Sequence, residues 1–163
     1  MNFSQMAETF LVPLRRLLPV LSKKKQQGIK VVFTNGCFDI LHVGHISYLE
    51  RAKSLGDVLV VGLNSDASVR KLKGPGRPVN TAKDRARVLA ALRAVDYVTV
   101  FSADTPLELI RSVRPDCLVK GGDWKAADIV GGSFVKSCGG KVRSLPFVKR
   151  RSTSGVLAAI QKL

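Results

Sequence analysis

Cysteine is scarce in this sequence of 163 residues, which contains only Cys37, Cys117 and Cys138. Their number is odd, their spacing is wide and they form no CxxC pair, so neither a disulfide framework nor a zinc site is predicted. We therefore expect three reduced thiols. Cys117 lies in an apolar, strand-like run and is expected in the core.

Long hydrophobic runs are absent as well. The longest, at 58–63 and 95–101, are far shorter than the ~20 apolar residues that a membrane-spanning helix needs. The N-terminal region does not have the order of a signal peptide, because Arg15, Arg16 and the lysines at 23–25 come after or inside its apolar positions. These absences predict a cytoplasmic protein with no membrane partner.

Acidic residues are few, and their distribution is uneven. The chain has 27 Lys and Arg against 12 Asp and Glu, a formal net charge of +15, and no acidic residue follows Asp128. Such a surface suits nucleic acid, but it equally suits phosphorylated small molecules. The only aromatic residues after Asp128 are Phe134 and Phe147, too few for a surface that stacks single-stranded bases. We expect no nucleic-acid partner, and a basic nucleic-acid-binding module remains the alternative of another class.

The remaining composition is that of a globular protein. At 45% hydrophobic residues, the chain is long and apolar enough to bury one core of its own. Residues 1–28 have leucines at helical spacing interrupted by Pro13 and Pro19, which predicts an irregular helical lead-in. Residues 29–163 are predicted to form a single catalytic domain.

Within that domain, short apolar runs alternate with amphipathic stretches. The runs predict strands at 30–34, 57–63, 97–101, 116–120 and 141–145, and the amphipathic stretches predict helices at 43–54, 81–94, 105–113, 126–138 and 152–163. Residues 71–78 are predicted to form a loop, since Gly and Pro follow the two lysines. The alternation predicts a Rossmann-like α/β fold with three α/β/α layers and a central parallel sheet of about five strands.

The segment after the first predicted strand has the residues of a phosphate site. It reads TNGCFDILHVGH from Thr34 to His45, with a helix starting near its end. His42 and His45 share one helix face, Gly44 lets backbone approach a ligand, and helix N–H groups attract anions. Protonated or hydrogen-bonding imidazoles can stabilise charge on phosphoryl oxygens. An isolated pair of this kind is more often capping or buried, but its place after the first strand of a parallel α/β pattern favours the phosphate site.

Several further motifs follow in order, and together they resemble one family. These are NSD at 64–66, KLKG at 71–74, RPVN at 77–80, LVKGGD at 118–123 and STS at 152–154. With the HVGH of 42–45, they are similar to the nucleotidyltransferases of the cytidylyltransferase type with an HxGH signature. Within that group the chain resembles the D-glycero-β-D-manno-heptose 1-phosphate adenylyltransferases, from residue 31 to the C-terminus.

This resemblance implies a reaction. AMP would pass from ATP to D-glycero-β-D-manno-heptose 1-phosphate by direct in-line attack, giving ADP-heptose and pyrophosphate for lipopolysaccharide core synthesis. Mg²⁺ would arrive with ATP, because no carboxylate cage is visible in the sequence. The family implies a homodimer, and a separate heptose kinase and phosphatase, since no sugar-kinase domain is present. The nearest alternative is a cytidylyltransferase that acts on glycerol 3-phosphate or a related alcohol phosphate.

The resemblance also assigns residues to roles. The catalytic set is His42, His45 and Lys71. The nucleotide-binding set is Thr34, Asn35, Gly36, Cys37, Phe38, Gly44, His45, Lys120, Gly121, Gly122, Asp123, Ser152, Thr153 and Ser154, and the substrate-binding set is Asp39, Asn64, Asp66, Lys73, Arg77 and Arg85.

Several of these assignments have structural alternatives. For Asp39 a loop-structuring carboxylate is favoured over a substrate contact, and Arg85 has a plain surface position as its alternative. Asp123 is implied to bond the ribose or to help place the metal. Ser152 and Thr153 can cap the last helix as well as bind phosphate. Trp124 is expected to pack under its loop rather than to flank the substrate.

Overall fold

The computed structural model describes residues 12–122, 124–125, 127–146, 153–160 and 162. Its strands are β1 (Val31–Gly36), β2 (Val58–Asn64), β3 (Tyr97–Phe101), β4 (Cys117–Gly121) and β5 (Lys141–Leu145). Its helices are α1 (Leu14–Gln26), α2 (Val43–Lys53), α3 (Asp66–Lys73), α4 (Ala82–Ala90), α5 (Leu107–Val113), α6 (Gly132–Ser137) and α7 (Thr153–Ile160). The described strands form one parallel sheet in the order β3-β2-β1-β4-β5, which confirms the predicted Rossmann-like α/β fold.

Alternate residues of the strands supply two cores, one on each face of the sheet. On one face, Val32 and Val61 pack with Leu49 of α2 and Leu89 of α4. On the other face, Phe33 belongs to a cluster with the buried residues of α1, α5 and α6, namely Leu17, Leu21, Leu109, Ile110, Val113 and Val135. The sheet is therefore covered on both sides, with β2 buried throughout and the edge strands β3 and β5 partly exposed.

The N-terminal helix α1 belongs to the second of these cores. It begins after Pro13, contains Pro19 and buries Leu17 and Leu21 completely or nearly so. Lys25 donates hydrogen bonds to the carbonyls of Val113 and Arg114 at the end of α5. The helix predicted for the lead-in thus packs on the sheet, while the domain boundary between residues 28 and 29 stays a prediction.

Helix α3 differs from the sequence prediction, which placed Lys71 and Lys73 on a loop. Ser65 caps this helix by accepting a hydrogen bond from the Ser68 N–H at 3.3 Å, and Val69 is buried completely. The cap and one buried apolar contact are enough to hold two helical turns. The loop begins only at Gly74, where φ is +89°.

Two other helices are shorter than predicted. Of the predicted helix at 126–138, the described residues 127–138 are helical only over α6, because Gly131 takes a left-handed conformation with φ of +80° directly before it. Helix α4 ends at Ala90 rather than at residue 94. Both differences lie at helix ends, where helices fray and where the position of the last residue is set by tertiary contacts.

The strand order reverses at β1, and this reversal positions the site. The chain leaves β1 through α2 toward β2 on one side, while β4 lies against the other side of β1. The loops after β1 and β4 therefore diverge and leave a crevice at the carboxyl edge of the sheet, where ligands bind in open α/β folds.

Candidate active site

A cleft with a volume of about 540 Å³ opens at this crevice. Its walls come from the loop after β1, from the start of α2, from the end of α3 and the segment after it, from the end of β4 and from α7. The lining residues are Asn35, Gly36, Cys37, Phe38, Asp39, His42, Gly44, His45, Tyr48, Lys73, Arg77, Lys120, Gly121, Trp124, Thr153 and Ser154. Most of the residues assigned to nucleotide binding from the sequence are thus brought together.

The two histidines begin helix α2 and form a reciprocal cap. His42 is the N-cap, and its Nδ1 accepts a hydrogen bond from the Gly44 N–H at 3.1 Å. The His42 N–H donates in turn to Nδ1 of His45 at 3.4 Å, and the ring centroids are 3.9 Å apart. Since an Nδ1 that accepts carries no proton, each imidazole is the neutral tautomer with its proton on Nε2. The structure thus shows the capping contacts that the sequence allowed, and the phosphate-binding role of the pair stays a prediction with which its place in the cleft lining agrees.

Burial keeps His45 neutral. Desolvation, and secondarily the nearby His42, lower the pKa of His45 from 6.5 to about 4. A neutral imidazole can donate a hydrogen bond through Nε2–H, but with a pKa of about 4 it is a weak base. The arrangement therefore suits hydrogen bonding to an anion better than proton transfer.

This shift predicts a pH dependence of stability. The unfolded chain takes up a proton on His45 near pH 6.5, whereas the folded chain does so only near pH 4. Stability that is complete above pH 6.5 is therefore lost as the pH falls from about 6.5 to about 4. We expect His45→Gln to remove this pH-dependent part of the stability. When thermal unfolding is followed by circular dichroism, the Tm of the unsubstituted protein should fall more steeply than that of the variant between about pH 7 and pH 5. Parallel curves would contradict the buried neutral state.

The loop after β1 is held close to the histidines by Phe38. Phe38 has φ of +44°, a left-handed conformation that is uncommon for a residue with a side chain. Its ring meets the His45 ring edge to face at 5.6 Å between centroids. A Cβ on Gly36 would lie 2.9 Å from the Phe38 ring, so only glycine at this position lets the ring lie there. The loop is thus folded back onto its own histidines.

Asp39 has the structural role that the sequence favoured. Its carboxylate accepts hydrogen bonds from the Val79 N–H, the Asn80 N–H and Arg77 Nε, the last at 2.6 Å. Burial raises the pKa of this carboxyl, but the two backbone N–H groups and the Arg77 guanidinium outweigh burial and hold the pKa below its usual range. The charged carboxylate therefore ties the loop after β1 to the loop before α4 and leaves Arg77 at the cleft wall.

Arg85 is buried, whereas the sequence left open whether it faces the site or the surface. Its guanidinium donates to the carbonyls of Cys37, Asn64 and Asn80 and to the Asp66 carboxylate. The side chain of Asn64 donates to Ser68 in the same place. Three of the predicted substrate-binding residues, Asn64, Asp66 and Arg85, thus lie beneath the cleft rather than in its lining, and their contacts fix the loop above them.

The cations of the site divide into two groups. Lys73, Arg77 and Lys120 line the cleft, and burial lowers the pKa of Lys120 although the nearby Cys37 opposes this. Lys71 is absent from the described cleft lining and pairs with Asp104 at 2.6 Å on an exposed surface. Its catalytic role stays a prediction that requires the side chain to leave Asp104.

The remaining nucleotide-binding residues are distributed around the cleft. Thr34 is buried below it and shares a hydrogen bond of 2.6 Å with the Tyr48 hydroxyl. Gly122 lies behind the lining and donates from its N–H to the Leu145 carbonyl. Thr153 bonds the Ile40 carbonyl at 3.2 Å, which brings α7 to the loop after β1. Asp123 and Ser152 lie outside the described residues.

Two aromatic residues of the cleft differ from the sequence-based expectation, since Tyr48 had no predicted role and packing was favoured over a substrate contact for Trp124. Tyr48 lies one helical turn beyond His45 and is nearly buried, with burial raising its pKa to about 12. Its spacing of three from His45 was the available signal. Trp124 was expected to pack under its loop, yet its side chain is 50% exposed and lines the cleft.

The described part of the chain has neither a metal-binding cluster nor a membrane-spanning helix. No group of three or more His, Cys, Asp or Glu side chains there could hold a metal ion. Two carboxylates near the site that the structure does describe, Asp39 and Asp66, are engaged by Arg77 and Arg85. Among the same residues, no helix has the length and apolar content for crossing a bilayer.

Two curated proteins are similar to most of this chain. The bifunctional protein HldE of Syntrophotalea carbinolica is 55% identical over 144 residues, which are 88% of this chain and 29% of that protein. The HldE protein of Wolinella succinogenes is 57% identical over 137 residues, 84% of this chain and 28% of that one. The chain thus spans about three tenths of the length of these relatives.

Solved structures show the same fold. The crystal structure of a lipopolysaccharide core biosynthesis protein from Thermoplasma volcanium superposes with a TM-score of 0.63 and 29% identity, covering 76% of this chain and 100% of that one. A pantoate-beta-alanine ligase from Francisella tularensis, crystallised with ATP analogue and beta-alanine, superposes with a TM-score of 0.58 over 90% of this chain and 69% of that one. At 17% identity, the second likeness shows the fold alone.

Residues 33–148 match the cytidylyltransferase-like family, and the chain belongs to it. The match covers most of the sheet together with the histidine pair. It identifies the chain as a nucleotidyltransferase.

Proposed function

We propose that this member of the cytidylyltransferase-like family transfers AMP from ATP to D-glycero-β-D-manno-heptose 1-phosphate, releasing pyrophosphate and forming ADP-heptose. The observation that carries the proposal is the His42 and His45 pair, which begins α2 and lines a cleft that also holds Lys73, Arg77 and Lys120. The choice of adenine and heptose is supported by the sequence motifs and by the similarity to HldE proteins.

The charges around the cleft suit a triphosphate. The N-terminus of α2 is positive, and Lys73, Arg77 and Lys120 lie in the walls around it. The start of α7 brings Thr153 and Ser154 to the same cleft, where hydroxyl and N–H groups can hold phosphate oxygens. Donors and cations that the fold holds around one cleft can stabilise the charge of a transition state.

In the proposed reaction, an oxygen of the acceptor phosphate attacks the α-phosphorus of ATP. The bond from that phosphorus to the bridging oxygen of the β-phosphate breaks, and pyrophosphate leaves with the electron pair of that bond. Nε2–H of His42 and of His45 would donate to the oxygens on which negative charge accumulates. No covalent intermediate with the chain is needed, and Cys37, whose pKa is raised by burial, has no part in the reaction.

Mg²⁺ is proposed to enter with ATP. The described residues around the cleft are mostly cationic or neutral donors, so they fit a metal that is held by the phosphate oxygens of the nucleotide rather than by carboxylates. When bound, the ion would neutralise phosphate charge. The lysines, arginine and histidines would then orient the phosphates from the other side.

The cellular setting is proposed from the same similarity. ADP-heptose feeds lipopolysaccharide core assembly, and a related structure bears the name of a lipopolysaccharide core biosynthesis protein. The heptose 1-phosphate would come from a kinase and phosphatase acting earlier, and the catalytic unit is proposed to be a homodimer.

A matrix of substrates tests this function. The protein is incubated with Mg²⁺, ATP or CTP, and either heptose 1-phosphate or glycerol 3-phosphate, and released pyrophosphate is measured. We expect release with ATP and heptose 1-phosphate well above every other pair. Release with CTP alone would contradict the adenylyl transfer, and no release with any pair would contradict the proposed reaction as a whole. A His42→Asn, His45→Gln double variant serves as the control for contaminating activity.

A further inference from the structure

Trp124 is the aromatic surface that the cleft offers to a ligand. The other aromatic side chains of the described lining, Phe38 and Tyr48, are 6% and 7% exposed and are committed to the loop and the core. The Trp124 side chain, at 50%, is open to the cleft. Binding clefts are commonly lined by aromatic side chains, and a ring exposed in the cleft wall is available to a planar group of a ligand.

The position of this ring is fixed by its own polar atoms. Indole Nε1–H donates to the Gly121 carbonyl at 3.1 Å, and the Trp124 backbone N–H donates to Oγ of Ser144 at 3.2 Å. Ser144 in turn donates to the Gly122 carbonyl. The indole is therefore anchored at the ends of β4 and β5, and a ligand that stacks on it loses little conformational entropy in the protein.

The cleft is asymmetric about the histidines. Asp39 holds Arg77 on the β2 side, where Lys73 at the end of α3 also lines the wall. Trp124 lies on the opposite, β4 and β5 side. Lys120 of β4 also lines the cleft on the Trp124 side, so the β2 side has two of the three lining cations and the β4 side has one cation together with the indole. A phosphorylated acceptor is better matched to the β2 side, and a planar heterocycle to the indole.

We infer that Trp124 is the stacking platform for the nucleobase of the NTP, and so a nucleotide-binding residue of the cleft. This inference rests on the proposed function, because it assigns the β4 and β5 side to the base and the β2 side to the acceptor. Stacking is tolerant of base identity, since every base has a π-face. Trp124 therefore contributes affinity for purine nucleotides over a bare polyphosphate, and the neighbouring backbone of 120–122 is left to read the base edge.

A fluorescence titration tests the inference directly, because the sequence contains one tryptophan. The probes are the Mg²⁺ complex of α,β-methylene ATP, inorganic tripolyphosphate and heptose 1-phosphate. We expect the nucleotide analogue to change Trp124 emission strongly, and the two phosphate probes to change it little when bound at saturation, with binding followed by calorimetry. An equal change with heptose 1-phosphate alone would place the acceptor sugar on the indole and overturn the assignment.

Substitutions separate stacking from fold. Trp124→Ala is expected to weaken binding of the ATP analogue about tenfold, within the range known for loss of base stacking, with unchanged affinity for tripolyphosphate and an unchanged KM for the acceptor. Trp124→Phe should keep most of the affinity. Val130→Ala removes a similarly exposed apolar side chain outside the described cleft lining and should leave all three quantities unchanged.

The outcomes are distinguishable from failure of the proposed reaction. Equal affinity of the Trp124→Ala variant and the unsubstituted protein for the ATP analogue would overturn the inference even if pyrophosphate is released normally. A selective loss of nucleotide affinity would support it even if heptose 1-phosphate proves to be the wrong acceptor. If the alanine variant unfolds, the same comparison is made with Trp124→Leu and Trp124→Phe, where affinity should follow aromatic character.

Discussion

Replacing His42 by Asn is expected to lower kcat about 100- to 1,000-fold, the loss typical of removing one preorganised donor to a developing oxyanion. The Nε2–H of His42 is such a donor, because its Nδ1 is already occupied by the Gly44 N–H. Asn is also a favoured N-cap residue. The variant can therefore keep the cap of α2 while it loses the imidazole donor, and its stability should change little.

The matched variant at the second histidine is His45→Gln. A glutamine three residues after the N-cap can accept the N-cap N–H, as in a capping box, which is the bond that His45 makes to His42 at 3.4 Å. Its loss of kcat should be of similar size, and the double variant should lose less than the product of the two, because both donors act on the same phosphate.

Steady-state kinetics with pyrophosphate detection, together with thermal unfolding of each variant, checks this prediction. A folded His42→Asn variant that keeps more than about a tenth of the kcat would show that the histidine only caps the helix. A loss confined to KM for ATP would show that it binds the ground state and the transition state equally.

Replacing Arg85 by Met is expected to destabilise the protein by about 3–5 kcal/mol, the loss typical of removing one partner from a buried ionic network. The guanidinium is fully buried and is the donor to three carbonyls, those of Cys37, Asn64 and Asn80. Each carbonyl that loses its donor in a buried place costs about 1–3 kcal/mol. The Asp66 carboxylate is 38% exposed, so it regains water and adds little to the loss.

Urea denaturation measures this loss, and Arg87→Met is the matched control on the same helix. Arg87 is exposed on α4, so its substitution should change stability by less than about 0.5 kcal/mol. An Arg85→Met variant as stable as Arg87→Met would contradict the network. Because Arg85 also holds the loop after β1, the variant that remains folded should bind ATP more weakly than the unsubstituted protein.

Asp39 and Arg85 show what the type and position of a residue can and cannot predict. Asp39 was favoured as a structural carboxylate from its type and place in a loop, and its three donors agree with that interpretation. Arg85 was not recognised as structural, because an arginine on an amphipathic helix most often faces solvent. Its burial depends on the Cys37 carbonyl, which is 48 residues away in the chain.

Helix α3 and Trp124 differ from the sequence prediction for a similar reason. The two turns of α3 are too short for periodicity to distinguish them from a loop rich in lysine, and the Ser65 cap was the only local signal. Trp124 is prevented from packing inward by bonds to Gly121 and Ser144. Ser144 lies on β5, so this anchor exists only once β4 and β5 are paired.

The sequence by itself determined the order and type of most elements, and the position of the histidine pair directly after the first strand. These follow from apolar periodicity and short motifs, which are properties of neighbouring residues. Tertiary structure decided which charges are buried, that Lys71 lies against Asp104 on an exposed surface, and that an indole faces the cleft. Each of these depends on contacts between segments far apart in the chain, and such contacts leave no local pattern to read.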